Sequence, residues 1–366
     1  MIRKRYISVR LLQGGMIIDQ EVLDQMGRVL IARGTRLDDY QIEALQKRGV
    51  TGIYIREGEE DEPEEKKPEI PKPVREKIEK LKVEDKSKVQ LSESVKRRVS
   101  EGMKYLYSNV DSEHFTSAAT SIADELLQSI EENDALAVDI GMLKVSDEYT
   151  FKHSVDVATI SMVIAKKYGM NEKQIHAIGI AGLLHDVGKS KIPNEVLNKA
   201  GKLTDEEFAI MREHPVLGYR ILMDKQDISE EIAQGVLQHH EKINGKGYPL
   251  GLKGEQISPY AKIISVADIY DALVTERPYK KPMTQRDAVE MIMALTEEID
   301  LTAMKSFLGS VILYPVGCTV NLSTGEAAQV IENNAGYILR PKVVGLKTGK
   351  VYDLAGDMQC ASVVIQ

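Results

Sequence analysis

The chain has 366 residues, of which 43% are hydrophobic and 28% are charged, a composition typical of a globular protein with two or three domains. Its net charge of −8 argues against a nucleic-acid binder that relies on a broad positive surface, so DNA is not an expected partner. No signal peptide is expected, and no stretch approaches the roughly twenty apolar residues of a membrane helix, which predicts a cytoplasmic protein without a membrane span.

Residues 1–56 predict a small α+β module made of short strands that glycines separate. Its one helix should begin after Asp38, because Asp38 and Gln41 have the spacing of a capping box. A closing strand is expected over residues 50–55. Since no catalytic group of residues stands out here, we expect a regulatory or sensory role for this module.

Residues 57–90 are rich in Glu, Lys and Pro, which predicts an extended, charged linker between two folded units. Helical spacing of apolar residues resumes near Ser92 and predicts three helices up to about residue 143. They should open an all-helical domain over residues 91–310. Their apolar faces are also a candidate interface for a homodimer.

Six of the seven histidines lie between residues 153 and 240. His153 begins one predicted helix, and His185 with Asp186 ends the next. An imidazole nitrogen beside a carboxylate oxygen is a ligand pairing that transition metals use, although this pair alone is equally consistent with a solvated turn. His214 precedes Pro215 and is expected at a helix N-cap.

The remaining histidines differ in their surroundings. His239 and His240 end a predicted helix and precede a glycine-rich loop. Adjacent helical residues point about 100° apart, so both can serve one site only where converging walls meet the helix end. The doublet alone is equally consistent with two surface histidines. His176 lies in the middle of a helix without a ligand-type neighbour and is expected to be structural, and His114 is expected at the surface.

Asp268 gives the strongest indication of a metal that does not depend on any known family. It lies within the apolar helical stretch of residues 263–271, which should be buried. A buried carboxylate is costly unless it is paired or bound to a metal.

Five blocks in this order resemble the HD-GYP family, a branch of the HD phosphohydrolases. They are residues 184–189 (LHDVGK), 214–215 (HP), 239–241 (HHE), 245–249 (GKGYP) and 267–273 (ADIYDAL) with 277–280 (RPYK). The resemblance covers about residues 145–310. Asn244 stands where the family usually has Asp, a change that keeps a short polar turn residue.

The resemblance implies a helical domain that hydrolyses the phosphodiester bonds of cyclic di-GMP to pGpG and/or GMP, by a hydroxide that bridges two metals. By motif position, the first metal is held by His153, His185, Asp186 and Asp268. Asp186 bridges to the second metal, which is held by His214, His239 and His240. A nitrogen and carboxylate ligand set favours iron or manganese. The glutamate that holds a third metal in some members corresponds to Tyr149, next to Glu148, so two metals are expected.

The same resemblance implies roles in catalysis and substrate binding. Lys189, as a fixed positive charge near the phosphate or the leaving oxygen, is expected to be catalytic together with Asp186. Tyr248, Arg277 and Lys280 match positions that contact the nucleotide. Diguanylate cyclases or other signalling proteins are the implied protein partners.

Two other functions stay open. One is a non-catalytic cyclic di-GMP receptor, and the other is an HD phosphohydrolase that acts on another cyclic dinucleotide. The apparently complete ligand set favours catalysis.

Residues 311–366 predict a small β-rich appendage of short strands and turns. Cys318 and Cys360 lack the spacing of a metal site and are expected to be reduced. The expected fold class of the chain is therefore mainly α, with a helical HD-type domain between two small modules that contain strands.

Overall fold

The structure is a computed structural model that describes residues 3–23, 29–47, 50–57, 70–83, 93–132, 149–199, 201–225, 227–275, 282–334 and 336–366. The chain divides into two compact units, Met1–Glu69 and Ile70–Gln366. Among the described residues, no helix is both long enough and apolar enough to cross a membrane.

The first unit is the small α+β module that the sequence predicts. Its elements are β1 (Arg3–Ser8), β2 (Ile17–Ile18), β3 (Val22–Leu23), β4 (Val29–Ile31), α1 (Asp39–Lys47) and β5 (Gly52–Glu57). Strand β5 pairs antiparallel with both β1 and β2, and Ile53 and Ile55 alternate into the core. The capping box is confirmed, because the backbone N–H of Gln41 donates to Asp38 Oδ1 at 2.7 Å and that of Asp38 donates to Gln41 Oε1 at 3.1 Å.

The second unit is mainly helical, as expected. Its helices are α2 (Lys72–Leu81), α3 (Glu93–Ser108), α4 (Phe115–Glu132), α5 (Tyr149–Tyr168), α6 (Glu172–Leu184), α7 (Asn194–Leu197), α8 (Asp205–Met211), α9 (His214–Met223), α10 (Glu230–Gln238), α11 (Pro259–Val274), α12 (Gln285–Ala294) and α13 (Leu301–Leu308). Helices α3 and α4 confirm two of the three helices predicted before residue 143. The third, over residues 136–143, lies outside the described residues.

Helices α5 and α6 form the centre of this unit. Both are surrounded by other helices over much of their length, since every residue of 153–165 in α5 and of 178–184 in α6 is buried. They approach closely because α6 has a glycine at the contact: a Cβ on Gly182 would lie 2.7 Å from the Cα of Ala158. This contact brings the first half of α5 and the end of α6 together. Gly169, with φ of +96°, directly follows Tyr168 at the end of α5, a position that favours glycine.

The predicted linker over residues 57–90 is wrong for part of its length. Within the described range 70–83, helix α2 packs on the C-terminal sheet through Val74 and Ile78, which are buried against Ile331 and Val344. The Lys77 ammonium donates to the carbonyl of Gly349 at 2.7 Å. Two apolar residues four positions apart give α2 one apolar stripe, and burial of that stripe outweighs the solvation that a charged sequence favours.

The C-terminal part is β-rich, as the sequence predicts. A four-stranded antiparallel sheet has the order β6 (Thr319–Asn321), β7 (Ala327–Glu332), β8 (Lys342–Gly345) and β9 (Val351–Asp353). The first strand of this sheet begins at Thr319, so the predicted β-rich region starts eight residues later than residue 311. Cys318 and Cys360 are free thiols.

Candidate metal centre

The seven predicted metal ligands come from five helices or helix ends, and they lie around one cluster. They are His153 in α5, His185 and Asp186 directly after α6, His214 as the first residue of α9, His239 and His240 directly after α10, and Asp268 in α11. Glu213 takes the N-cap position of α9, so His214 lies one residue further into the helix than expected.

Three of these histidines each make the same type of hydrogen bond to the backbone. The Nδ1 atoms of His185, His214 and His239 donate to the carbonyl oxygens of the residues three positions earlier, at 2.7, 2.8 and 2.7 Å. Because a neutral imidazole has one N–H, this bond leaves each Nε2 with a free lone pair that points away from the accepting carbonyl. The local chain therefore fixes both the tautomer and the direction of each ring.

The free nitrogens converge without a hydrogen between them. The Nε2 atoms of His214 and His239 lie 3.3 Å apart, and the buried Nε2 of His185 has no hydrogen-bond partner. Two lone pairs at this distance repel each other, so the arrangement is favourable only with a cation to share. The donor set fits a metal on this ground.

Asp186 lies between two groups of ligand atoms. One group is His153, His185 and Asp268, and the other is His214, His239 and His240, with atoms inside each group within 4.8 Å of one another. Oδ2 of Asp186 lies 3.4 Å from Nε2 of His185, while Oδ1 lies 3.4 Å from Nε2 of His214. One carboxylate thus faces both groups, each with a different oxygen.

Burial sets the protonation of these histidines. Desolvation lowers the pKa of His214 and of His240 to about 4, and it lowers the pKa of His185 and His239 as well. All four imidazoles are therefore neutral near pH 7, which is the form that coordinates a metal.

His153 is the exception in this cluster. Its Nδ1 lies 2.6 Å from Oδ2 of Asp271, and its Nε2 lies 3.2 Å from Oδ1 of Asp268. Burial lowers the pKa of His153, but the hydrogen bonds to these two carboxylates outweigh burial and raise it to about 10. The pairing with His153 holds the pKa of Asp268 below its usual range, against the effect of burial.

Asp271 and Asp156 are the site residues that the sequence reasoning missed. Asp271 is 1% exposed, and its carboxylate is also hydrogen-bonded to Asp156 from α5. Burial and the charge of Asp271 raise the pKa of Asp156 well above its usual range, which favours its protonated form. The signal was present, because Asp271 is a second acidic residue in the same apolar helix as Asp268.

Lys189 and Gly188 follow the HD pair in a 3₁₀ turn over Val187–Lys191. The Lys189 ammonium lies 2.6 Å from Oδ2 of Asp186. Burial raises the pKa of Asp186, but the charges of Lys189 and of the surrounding histidines together hold it well below its usual range. Gly188 lies against α9: a Cβ there would be 2.0 Å from the carbonyl oxygen of His214. The glycine therefore lets the HD turn approach the histidine of the second group.

Glu241 organises the loop that follows the histidine doublet. It is 4% exposed, and its carboxylate accepts three backbone N–H groups, from Leu250 at 2.6 Å, Gly251 at 3.1 Å and Leu252 at 2.9 Å. Asn244 accepts from the backbone N–H of Lys246 at 3.0 Å, as expected of a short polar turn residue. The third residue of the HHE block thus shapes the loop instead of joining the cluster.

Tyr248 lies beside the cluster on this loop. Its ring stacks on the imidazole of His240, with centroids 4.7 Å apart and planes 28° apart. The guanidinium carbon of Arg212 lies 4.5 Å from the Tyr248 centroid. Burial and the carboxylates of Asp268 and Asp186 raise the pKa of Tyr248, so its hydroxyl keeps its proton.

The remaining predicted positions have three different outcomes. Arg277, Lys280 and Glu148 lie outside the described residues. His176 takes no part in the cluster, since its Nε2 lies 2.9 Å from Oδ1 of Asp124. His114 is exposed, as expected.

Residues 137–302 match the HD domain family, in agreement with the motifs of the sequence. Among curated proteins, the chain is similar to Cyclic di-GMP phosphodiesterase PA4108 of Pseudomonas aeruginosa, with 38% identity over 228 residues, 62% of this chain and 55% of that protein. It is similar to Cyclic di-GMP phosphodiesterase response regulator RpfG of Xanthomonas campestris, with 35% identity over 189 residues, half of each chain.

A relative with another named substrate is 3'3'-cGAMP-specific phosphodiesterase 2 of Vibrio cholerae, with 39% identity over 146 residues, 40% of this chain and 28% of that protein. The chain spans only about half the length of the first two relatives. The range that matches the HD domain family, residues 137–302, contains all seven predicted ligands.

Proposed function

We propose that the HD domain of this chain is a metal-dependent phosphodiesterase that hydrolyses cyclic di-GMP to pGpG and/or GMP in second-messenger signalling. The observation that carries the proposal is the pair of ligand groups that share Asp186. Such a pair suits two cations a short distance apart, the arrangement used for phosphodiester hydrolysis.

We assign the first cation to His153, His185, Asp186 and Asp268, and the second to Asp186, His214, His239 and His240. Nitrogen and carboxylate ligands without a thiolate suit iron or manganese. Two such cations, when bound, lower the pKa of a shared water and neutralise phosphoryl oxygens.

The other assigned residues act on the substrate. The Lys189 ammonium, at the edge of the cluster, places a fixed positive charge near the phosphate or the leaving oxygen. Tyr248 places a neutral hydroxyl next to His240, where it can contact the nucleotide. Arg277 and Lys280 are proposed nucleotide contacts on the family motif alone.

The direct test is to load the purified protein with Fe(II) or Mn(II) under reducing conditions and to follow linear products of cyclic di-GMP by chromatography. We expect pGpG or GMP to accumulate. Asp186→Ala should abolish turnover, because it removes the ligand that both groups share. Asp111→Ala is a suitable control, since its side chain is 91% exposed.

A second substrate deserves a parallel assay. The similarity to a cGAMP-specific enzyme favours another cyclic dinucleotide as the alternative. Turnover of 3'3'-cGAMP without turnover of cyclic di-GMP would contradict the substrate assignment and keep the reaction class. Tight binding of cyclic di-GMP by the metal-loaded protein without any product would favour a receptor instead.

A further inference from the structure

Arg212 forms the outer layer of a stack that begins at the candidate metal centre. Two contacts connect it to the cluster: its guanidinium carbon lies 4.5 Å from the Tyr248 centroid, and that ring lies 4.7 Å from the ring of His240. Arg212 directly follows α8 and stands two residues before His214. The chain therefore holds a permanent cation beside the second ligand group.

The charge of Arg212 is available to a ligand. Within the part of the chain that the structure describes, Arg212 makes no ion pair with a carboxylate, and the residue is exposed. Lys189 differs, because its ammonium is already paired with Asp186 at 2.6 Å. A guanidinium that rests on an aromatic ring keeps its N–H edge free and loses less conformational freedom when it binds a phosphate.

The proposed substrate needs a second cation. A cyclic dinucleotide carries two phosphodiester groups, and only one can occupy the cluster at a time. With one phosphate at the cluster, the other keeps its negative charge and has to be bound outside the cluster. An arginine can bind such a phosphate with two parallel hydrogen bonds.

We propose that Arg212 is a substrate-binding residue that holds the phosphate of the cyclic dinucleotide that is not being hydrolysed. The inference rests on the proposed function, and it adds a specificity determinant for substrates with two phosphates. The guanidinium packs against the Tyr248 ring, which holds it in position. Arg212 takes no part in bond breaking.

A purely structural role makes a different prediction. If Arg212 only clamped Tyr248 against His240, its loss would disturb the centre for every phosphodiester alike. If it binds the second phosphate, its loss affects only substrates that have one.

The test compares cyclic di-GMP with bis(4-nitrophenyl) phosphate, which has a single phosphodiester, in the metal-loaded enzyme. For Arg212→Ala we expect KM for cyclic di-GMP to rise by roughly tenfold or more, as for loss of a charge-assisted hydrogen bond. Hydrolysis of bis(4-nitrophenyl) phosphate should stay within about twofold of the parent. Arg212→Lys should recover part of the affinity, because it restores the charge without the planar fork.

Arg220→Ala is the matched control, since Arg220 is also exposed and lies on α9. Arg220→Ala should change neither KM for cyclic di-GMP nor the hydrolysis of bis(4-nitrophenyl) phosphate. An unchanged KM for cyclic di-GMP in Arg212→Ala, or an equal loss with both substrates, overturns the inference.

Failure of the proposed function gives a different result. The parent enzyme would then cleave bis(4-nitrophenyl) phosphate but not cyclic di-GMP. Calorimetric binding of cyclic di-GMP to the parent and to Arg212→Ala then decides the role of Arg212. A weaker complex with the variant supports the inference, and equal affinities or no binding to either protein overturn it.

Discussion

Oδ2 of Asp271 lies 2.6 Å from Nδ1 of His153, and both residues are buried. This bond fixes the His153 ring so that Nε2 faces Asp268 and Asp186. A carboxylate behind a histidine is a common way to orient a metal ligand and to raise its basicity. Oδ1 of Asp271 accepts from the Thr275 hydroxyl at 2.9 Å, so the carboxylate is itself held in place.

Replacement of Asp271 should weaken metal binding more than it weakens the fold. Asp271→Ala removes the acceptor for His153, and loss of such a partner lowers metal affinity by roughly 10–100-fold. The measurement is the manganese affinity of chelator-treated protein, by competition with a metal indicator. Asp271→Asn keeps one acceptor oxygen and should lose less. Equal manganese affinity in the parent and in Asp271→Ala would show that Asp271 does not position His153.

The protonated carboxyl of Asp156 predicts a pH dependence of stability. The pKa of Asp156 in the folded protein is raised above the ordinary value of 3.8. The neutral carboxyl therefore contributes stability that is fully present below pH 3.8. This contribution is lost as the pH rises towards the folded-state pKa. Asp156→Asn stays neutral and can still donate to Asp271. The melting temperature of the variant relative to the parent should therefore increase as the pH is raised from about 4 to about 8.

The measurement for Asp156 is thermal unfolding in the presence of a chelator, followed by circular dichroism. Asp111→Asn, at an exposed position, should show a constant difference from the parent across the same pH range. A constant difference for Asp156→Asn as well would show that Asp156 is ionised in the folded protein.

Gly188→Ala should displace α9 and the histidine at its start. The added Cβ would lie 2.0 Å from the carbonyl oxygen of His214 and 2.5 Å from the backbone nitrogen of Gly218, and neither atom can move alone. We expect a loss of about 1–3 kcal/mol in the free energy of unfolding. Urea unfolding and metal content measure the effect. Gly336→Ala is the control, because no atom lies within 4 Å of its new Cβ. Equal stability of the two variants would contradict the close approach.

Glu241→Gln should impair the substrate loop and spare the metals. The amide group would face backbone N–H groups that now donate to a carboxylate, at a cost of about 1–3 kcal/mol to the loop. We expect kcat/KM for cyclic di-GMP to fall, while the metal content per chain stays at the parent value. Glu195→Gln, on the exposed side of α7, should change neither quantity. A loss of metal in Glu241→Gln would instead place Glu241 among the ligands.

Local sequence patterns predicted the start of α1 and the helical character of residues 91–310, whereas the full ligand set of the cluster followed from the resemblance to the HD-GYP family. The capping box at Asp38 acts over a few residues, so its spacing is enough to predict it. The histidines at the ends of α6 and α10 bond to carbonyls three residues earlier, which is also a local effect. The predicted linker was wrong over α2, because its few apolar residues are buried by a sheet more than 200 residues later.

Only the tertiary structure decided how the cluster is supported. Asp271 and His153 are 118 residues apart in the sequence, and no spacing rule connects them. The packing of α5 against α11 sets their distance, and burial then favours the protonated form of Asp156. The stack of Arg212 on Tyr248 likewise depends on where a loop returns to the start of α9. The sequence alone thus named the groups that can hold a metal, whereas packing determined which atoms face one another, because electrostatic and hydrogen-bond energies depend on distances that long-range contacts set.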